Sequence, residues 1–395
     1  MSELKEWLNK DVGRDKRPRG PKPVLEHISQ NETLYSDWDT DDDKDDEIDT
    51  ECRKSTVRRI AFIFACFVSI IVAMGLIITY GEYPIPFGDV YSIIWNHITD
   101  GVPSDPIEYL RDYVVCDLRL PRVVVAIIGG FGLAVAGTVM QSTLKNPMAD
   151  SYTTGVSSGA AFGATLSMVA GITLFSTNAG MLVSAFIFSL APTFMIIIIT
   201  KFKKVSATSM ILAGLAVMYI FNACTTTLKL WADPDALSSI YRWQVGTLNN
   251  MLWSDVPLML VITVVGSIVI LFLSNKINIL SSGDETAKSL GINAQKLRVI
   301  CLVIVSLITA SIVCHTGTIG FVGLVAPHIA RIFIGSDNRF LIPAAGAFGA
   351  LLMMISDIIG RTILAPSILE VGVVTAFIGG PMFLYLIIKQ KKEVW

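Results

Sequence analysis

Apolar residues in this chain gather into long runs separated by short polar stretches. Ten such runs can be drawn, at about 58–80, 122–144, 152–172, 179–200, 207–230, 255–274, 296–315, 319–334, 339–360 and 370–388. Most approach the roughly 20 residues that a helix needs to cross about 30 Å of hydrocarbon. The pattern predicts an all-α integral membrane protein with ten transmembrane helices. The basic stretches alternate along the chain. "RKSTVRR", "TKFKKVSATS", "NKINILSSGDETAKSLGINAQKLR", "ARIFIGSDNR" and "KQKKEVW" fall on one side, and Asp-, Pro- and aromatic-rich loops fall on the other. Because Lys and Arg collect on the cytoplasmic side, both termini are expected inside, in a multi-pass cell-membrane protein.

Composition strengthens this reading: 52% of the residues are hydrophobic and 16% charged, against about a quarter charged in soluble domains. The net charge of −2 averages two unlike regions. Residues 1–57 hold the basic, Pro-rich "DKRPRGPKP" and the acidic "SDWDTDDDKDDEIDTE", a composition that predicts a disordered cytoplasmic tail. Residues 58–390 form the ten-span domain. The basic patches follow the membrane rule, so no nucleic-acid partner is expected. The six cysteines show no CxxC or other metal spacing and the four histidines are scattered, so no metal site and no disulfide framework is expected.

Gly155, Gly159 and Gly163 recur every four residues along the third run, a spacing that lets helix backbones approach closely in lipid. "GGFGLAVAG" spreads small residues over several faces of the second run, which predicts a central position for it. In the longest inner loop, residues 280–298, Ser282 and Glu285 have capping-box spacing. Asp284 and Glu285 suit a helix N-terminus, and Gly291 suits its stop. A short surface helix of about two turns is expected here, too short to stand alone and suited to docking into a partner's groove. Further on, Pro327 favours a bend by removing a backbone donor. His328 is expected as a hydrogen-bonded residue toward the inner helix end.

Four stretches and this loop resemble the BtuC/FecCD family of ABC-importer permeases. They are "LRLPRVVVAIIGGFGLAVAGTVMQ", "NPMADSYTTGVSSGAAFGA" (with Asn146 and Pro147), "GTIGFVGLVAPHIARIFIGSDNRFLIP" (with Gly323, Pro327 and His328) and "VGVVTAFIGGPMFLYLI"; the loop contains "AKSLGIN". The resemblance covers about residues 58 to 390 and implies a type II ABC-importer-like fold. It implies a permease subunit translocating an iron chelate, ferric siderophore first and haem or cobalamin next, by alternating access. No GxxxxGK[ST] occurs in the chain, so ATP and Mg would sit on a separate ATPase and this chain would bind no cofactor and catalyse nothing itself.

The implied partners are two ABC ATPase subunits, an extracytoplasmic substrate-binding protein and a second permease copy. The resemblance assigns ATPase coupling to Asp284, Glu285, Ala287, Ser289, Leu290 and Gly291. It assigns binding-protein docking to Arg119, Arg122 and Arg361, and an inner gate to Met148 and Thr208. The sequence departs from the family at Asn338, where the family has His, and at Ile368-Leu369-Glu370, where it has Glu-Leu-Pro. The rival reading is an ion-coupled secondary transporter of a small solute, which needs ionisable groups at mid-membrane; the runs carry few in their centres.

Overall fold

The computed structural model describes residues 56–81, 83–171, 180–202 and 206–389. The acidic tail expected over 1–57 therefore lies outside the described residues, except that Thr56 and Val57 begin the first helix. All regular structure among the described residues is helical. In chain order the elements are α1 (Thr56–Thr79), α2 (Phe87–Thr99), α3 (Pro106–Asp112), a π-helical segment (Tyr113–Arg119) and α4 (Leu120–Leu144). After a 3₁₀ turn at Tyr152–Thr154 come α5 (Val156–Ala170), α6 (Gly180–Phe202), α7 (Ala207–Lys229) and α8 (Pro234–Val245). The chain closes with α9 (Val256–Ser282), α10 (Asp284–Ser289), α11 (Ala294–Thr316), α12 (Val322–Ile334), α13 (Asn338–Thr362) and α14 (Val371–Lys389).

Side-chain caps fix several helix starts by accepting bonds from first-turn amides that have no helical partner. Asp105 caps α3, Ser206 caps α7, Asp233 caps α8, Asn293 caps α11 and Asp337 caps α13. Each of the ten expected runs falls largely on a helix, but a count of ten spans does not follow. Among the described residues, seven helices are long and apolar enough to cross a bilayer, while Val156–Ala170, Val322–Ile334 and Val371–Tyr385 are shorter apolar helices.

α4 is the central helix, as its small residues predicted. A side chain at Gly130 would collide with the backbone of Gly349 and Ala350 on α13, one at Gly132 with Ile308 and Ile312 on α11, and one at Gly137 with the backbone of Gly323 on α12. The glycine face of α5 serves the same end, since Gly159 and Gly163 lie against the Phe188 and Ser184 carbonyls of α6.

The shortness of α12 has a visible cause. At 13 residues it covers about 20 Å, and the chain before it, Gly317–Phe321, is not helical. Irregular backbone is tolerated at membrane depth only when protein satisfies its polar groups. Here Tyr152 Oη accepts from the Ile319 amide at 3.0 Å and donates to the Ile319 carbonyl at 2.7 Å. The Thr316 carbonyl accepts from the Thr247 amide at 2.8 Å, and Thr318 Oγ1 donates to the Gln244 carbonyl. Within α12, Pro327 deprives the Gly323 carbonyl of its helical donor. Gln141 Nε2 of α4 approaches that carbonyl at 3.4 Å.

Candidate functional site

The inner loop forms its short helix, α10, but not by the expected cap. Ser282 is the last residue of α9 and its hydroxyl donates to the Asn278 carbonyl at 3.3 Å, so no capping box forms with Glu285. Gly283 at φ +149° makes the break and stands at the N-cap without a side chain. The stop is as expected. Gly291 takes φ +77°, its amide donates to the Lys288 carbonyl, and the Ile292 amide donates to the Ala287 carbonyl at 2.8 Å. These two bonds satisfy the last carbonyls of the helix.

Asp284 ties α10 to the bundle. Arg298, on α11 and with only 3% of its side chain exposed, donates from Nη1 and Nη2 to the two carboxylate oxygens at 2.9 and 2.6 Å. Its Nε donates to the Thr143 carbonyl near the end of α4 at 3.0 Å. Lys145, which follows α4, places Nζ 3.4 Å from Asp284 Oδ1. The hydrogen bonds from Arg298 hold the Asp284 carboxyl below the usual carboxylate range. Ala287 is fully buried and anchors the helix, so it presents no contact surface, whereas Glu285, Lys288, Ser289 and Leu290 are exposed. An open groove of about 490 Å³ runs beside them, lined by Glu285, Lys288, Asn293 and Gln295 among others.

A second polar knot joins α9, α4 and α13. Asn338 is buried; its Nδ2 and backbone amide both donate to Asn278 Oδ1 at 2.8 Å, and its Oδ1 accepts from Ser142 at 2.8 Å. Asn278 Nδ2 donates to Asp337, which also accepts two side-chain bonds at 3.1 and 2.6 Å from Arg339. The Arg339 bonds, with Asn278 adding to them, bring the Asp337 carboxyl down to about 2. Asn338 supplies a donor and an acceptor together, which explains how this knot closes with Asn at that position.

The outer arginines differ from expectation: all three are engaged inside the subunit. The last carbonyls of α1 lack helical donors. Arg119 donates to the Ile78 carbonyl and, at 2.7 Å, to the Tyr83 carbonyl, while Arg361 donates to the Ile77 carbonyl at 3.0 Å. Arg122 grips buried Asp357 through Nε at 3.0 Å and Nη2 at 2.7 Å, and its Nη1 donates to Asn249 at 2.6 Å. Arg361 Nε lies 3.4 Å from Asp357 but is too poorly aligned for a hydrogen bond. Glu370 joins this rim by accepting from Asn249 Nδ2 at 3.1 Å, despite the displaced acid.

Met148 and Thr208 are both exposed, and the turn after Met148 packs onto α7 where Gly214 meets the Thr153 carbonyl. His328 departs from its expected role: its Nδ1 is buried and has no hydrogen-bond partner among the described residues. Sequence reasoning missed a polar cavity of about 340 Å³, lined by Tyr152, Ser158, Asn222, Gln244 and Thr318, between α5, α7 and the break before α12. At its rim Lys229 Nζ donates to Gln244 Oε1 at 2.6 Å. It missed Asp150 as well, a buried carboxylate facing Gly323. The signal for both was available in principle, as polar residues inside or beside apolar runs.

A multi-pass helical bundle with a broken helix at membrane depth and a surface helix clamped to its core belongs to the class of membrane transporters. The chain belongs to the FecCD transport family, whose model matches residues 62–389. It is a permease subunit of an ABC importer, the kind of subunit that works with a separate ATPase and a substrate-binding protein. It is 35% identical to the hemin transport system permease protein HmuU of Yersinia pestis over 283 residues, 71% of this chain and 85% of that one. It is 34% identical to the cobalamin import system permease protein BtuC of Halobacterium salinarum over 338 residues, 84% and 89% of the two chains. A solved inward-facing structure of an ABC transporter assigned to the metal-chelate type aligns with TM-score 0.73 at 28% identity, covering 83% of this chain and 99% of that one.

Proposed function

We propose that the chain carries an organic metal chelate, ferric siderophore first, by alternating access driven through α10. The observation that carries this reading is the clamp of Arg298 and Lys145 on Asp284. It fastens the helix that offers exposed side chains to an ATPase directly to α11 and to the end of α4, the two most buried long helices. A push on Glu285, Ser289 or Leu290 then reaches the core as a rigid displacement.

The cavity beside α7 supports the choice of cargo. Its lining combines Tyr, Ser, Asn, Gln and Thr with Ala161, Met218 and Gly320, uncharged groups that suit the organic shell of a chelate; a bare hard cation would call for carboxylate ligands. Lys229 adds a positive charge at the rim, favouring an anionic chelate over a neutral one. Haem and cobalamin, named for the two relatives, are the next cargoes in order. The exposed face of α7 suits a second permease copy, with the pathway between the two and two ATPase subunits below. In this arrangement both termini are cytoplasmic, and Met148 and Thr208 stand at the inner gate. The outer rim receives the binding protein, with Arg119, Arg122 and Arg361 serving it by holding α1, α4 and α13 in register and not as free cations.

The test is uptake into vesicles that contain this protein and its ATPase, with the cognate binding protein loaded in turn with ferric siderophore, haem and cobalamin. ATP-dependent uptake of the ferric siderophore is expected. Uptake driven by an ion gradient without ATP would sink the reading in favour of a secondary transporter.

A further inference from the structure

The histidines and cysteines are scattered in sequence, yet the fold brings two of them together with an aspartate between α2 and the start of the α4 arm. His97 sits in the last turn of α2, Asp112 ends α3, and Cys116 lies in the π-helical segment. One ligand atom from each, imidazole nitrogen, carboxylate oxygen and thiol sulfur, lies within 4.8 Å of the other two. His97 Nδ1 is 2.9 Å from both Asp112 oxygens. Asp112 and Cys116 are only 3% and 2% exposed, whereas a third of the His97 side chain reaches solvent.

We propose that His97, Asp112 and Cys116 form a binding site for a borderline-soft divalent cation of the Zn(II) type. A mixed N, O, S donor set selects such a metal over Ca(II) or Mg(II), which take oxygen ligands. Three protein ligands leave a fourth position open. Asp112 also lines a cavity of about 310 Å³, with Asn96, Glu108 and Arg111, which offers a path for the ion and room for a water. Glu108 stands one turn before Asp112 on α3.

The backbone around the site is held independently of any metal. Asp105 caps α3 through the Ile107 and Glu108 amides, and Trp253 Nε1 donates to the Cys116 carbonyl at 2.9 Å. Asp112 and Cys116, four residues apart, share one face of the arm, and the π-helical turn that carries Cys116 is of a kind frequent at functional sites. Metal–nitrogen and metal–oxygen bonds of about 2.0–2.2 Å require the His97–Asp112 gap to widen by only about half an ångström. Exposed His97 can accommodate this by rotating. On binding, the Cys116 thiol releases its proton to solvent and becomes a thiolate ligand. His97 coordinates through the Nδ1 lone pair, with its ring proton on Nε2.

Occupancy would fasten α2 to the segment that leads into α4, a tie between the outer helices and the centre of the bundle. The experiment uses the full chain in nanodiscs with Cys52 and Cys224 replaced by Ser, titrated with Co(II) alone and then with Zn(II). The expected result is one Co(II) per chain with a thiolate-to-cobalt charge-transfer absorption, displaced by Zn(II). Cys116→Ser abolishes that absorption, and His97→Gln weakens binding at least tenfold and removes the Zn(II)-dependent rise in Tm. The thiolate signal separates this site from carboxylates in the acidic tail. If Cys116→Ser does not fold, His97→Gln still decides, because its ring is partly exposed. No thiolate absorption in the parent protein, or an absorption and Zn(II) affinity unchanged in His97→Gln, overturns the site.

Discussion

α4 and α7 look alike as apolar segments, yet the fold uses them in opposite ways. In the continuous helix that contains α4, 83% of the most apolar window is buried; in α7 the figure is 17%. What separates them is side-chain size. α4 lines its faces with Gly and Ala, so three neighbouring helices reach its backbone, while α7 turns Leu212, Tyr219 and Ile220 outward. In lipid, hydropathy says that a segment belongs in the membrane, but small residues say that it belongs in the middle of the protein.

The most severe way to break this contrast is to give α4 a side chain where it has none. Gly137→Val would drive its branch into the Gly323 backbone, and overpacking of this kind costs about 1–3 kcal/mol or more where the neighbour cannot move. Loss of folded, monodisperse protein in size-exclusion chromatography is the expected outcome; normal yield and Tm would refute the central role of α4.

A milder test cuts the link between α4 and the surface helix. Arg298→Ala removes the Asp284 grip and the bond to Thr143, and should cost about 1–2 kcal/mol because Asp284 is half exposed and returns to water. ATP hydrolysis by the assembled complex should persist while uptake falls at least tenfold. Parallel loss of both would mean that the complex no longer assembles.

The third test follows acid. The Asp337 carboxyl, near 2 in the folded protein, lies below its unfolded value of about 3.9. Its stabilising effect is therefore fully present above about pH 4 and is lost as pH falls toward 2. Asp337→Asn should flatten the acid side of a Tm-against-pH curve without changing its neutral plateau by as much. An unchanged acid limb would assign that limb to other carboxylates.

The smallest effect belongs to α7. Leu212→Ala should leave subunit stability within about 0.5 kcal/mol, as expected for an exposed site. The same change should weaken self-association in detergent if a second copy covers that face.

Much of this was legible along the chain. The all-helical membrane architecture, the centrality of α4 and the stop of α10 at Gly291 all rest on local composition or local backbone demands, and these survive folding. What was not legible depends on which distant groups meet. Ser282 and Glu285 have the spacing of a cap, but α9 runs on through Ser282 and uses it. Arg119 and Arg361 read as outer cations, but the bare carbonyls at the end of α1 lie within their reach. Nothing in the separation of His97 from Cys116 announces that they meet, because they lie on separate helices that only tertiary packing joins.

The wide winding just before α4 has a consequence of its own. A π-helical closure spans one residue more than an α-helical one, so Tyr113–Arg119 acts as a phase adjuster between the outer helices and α4. Because the wider turn takes up one residue, removing an exposed one there, such as Leu118, would restore the ordinary winding and leave the helices before it facing nearly as they do now. The outer cap is thus joined to the bundle by a turn with slack: one codon lost there is taken up in the winding, and the membrane core keeps its register.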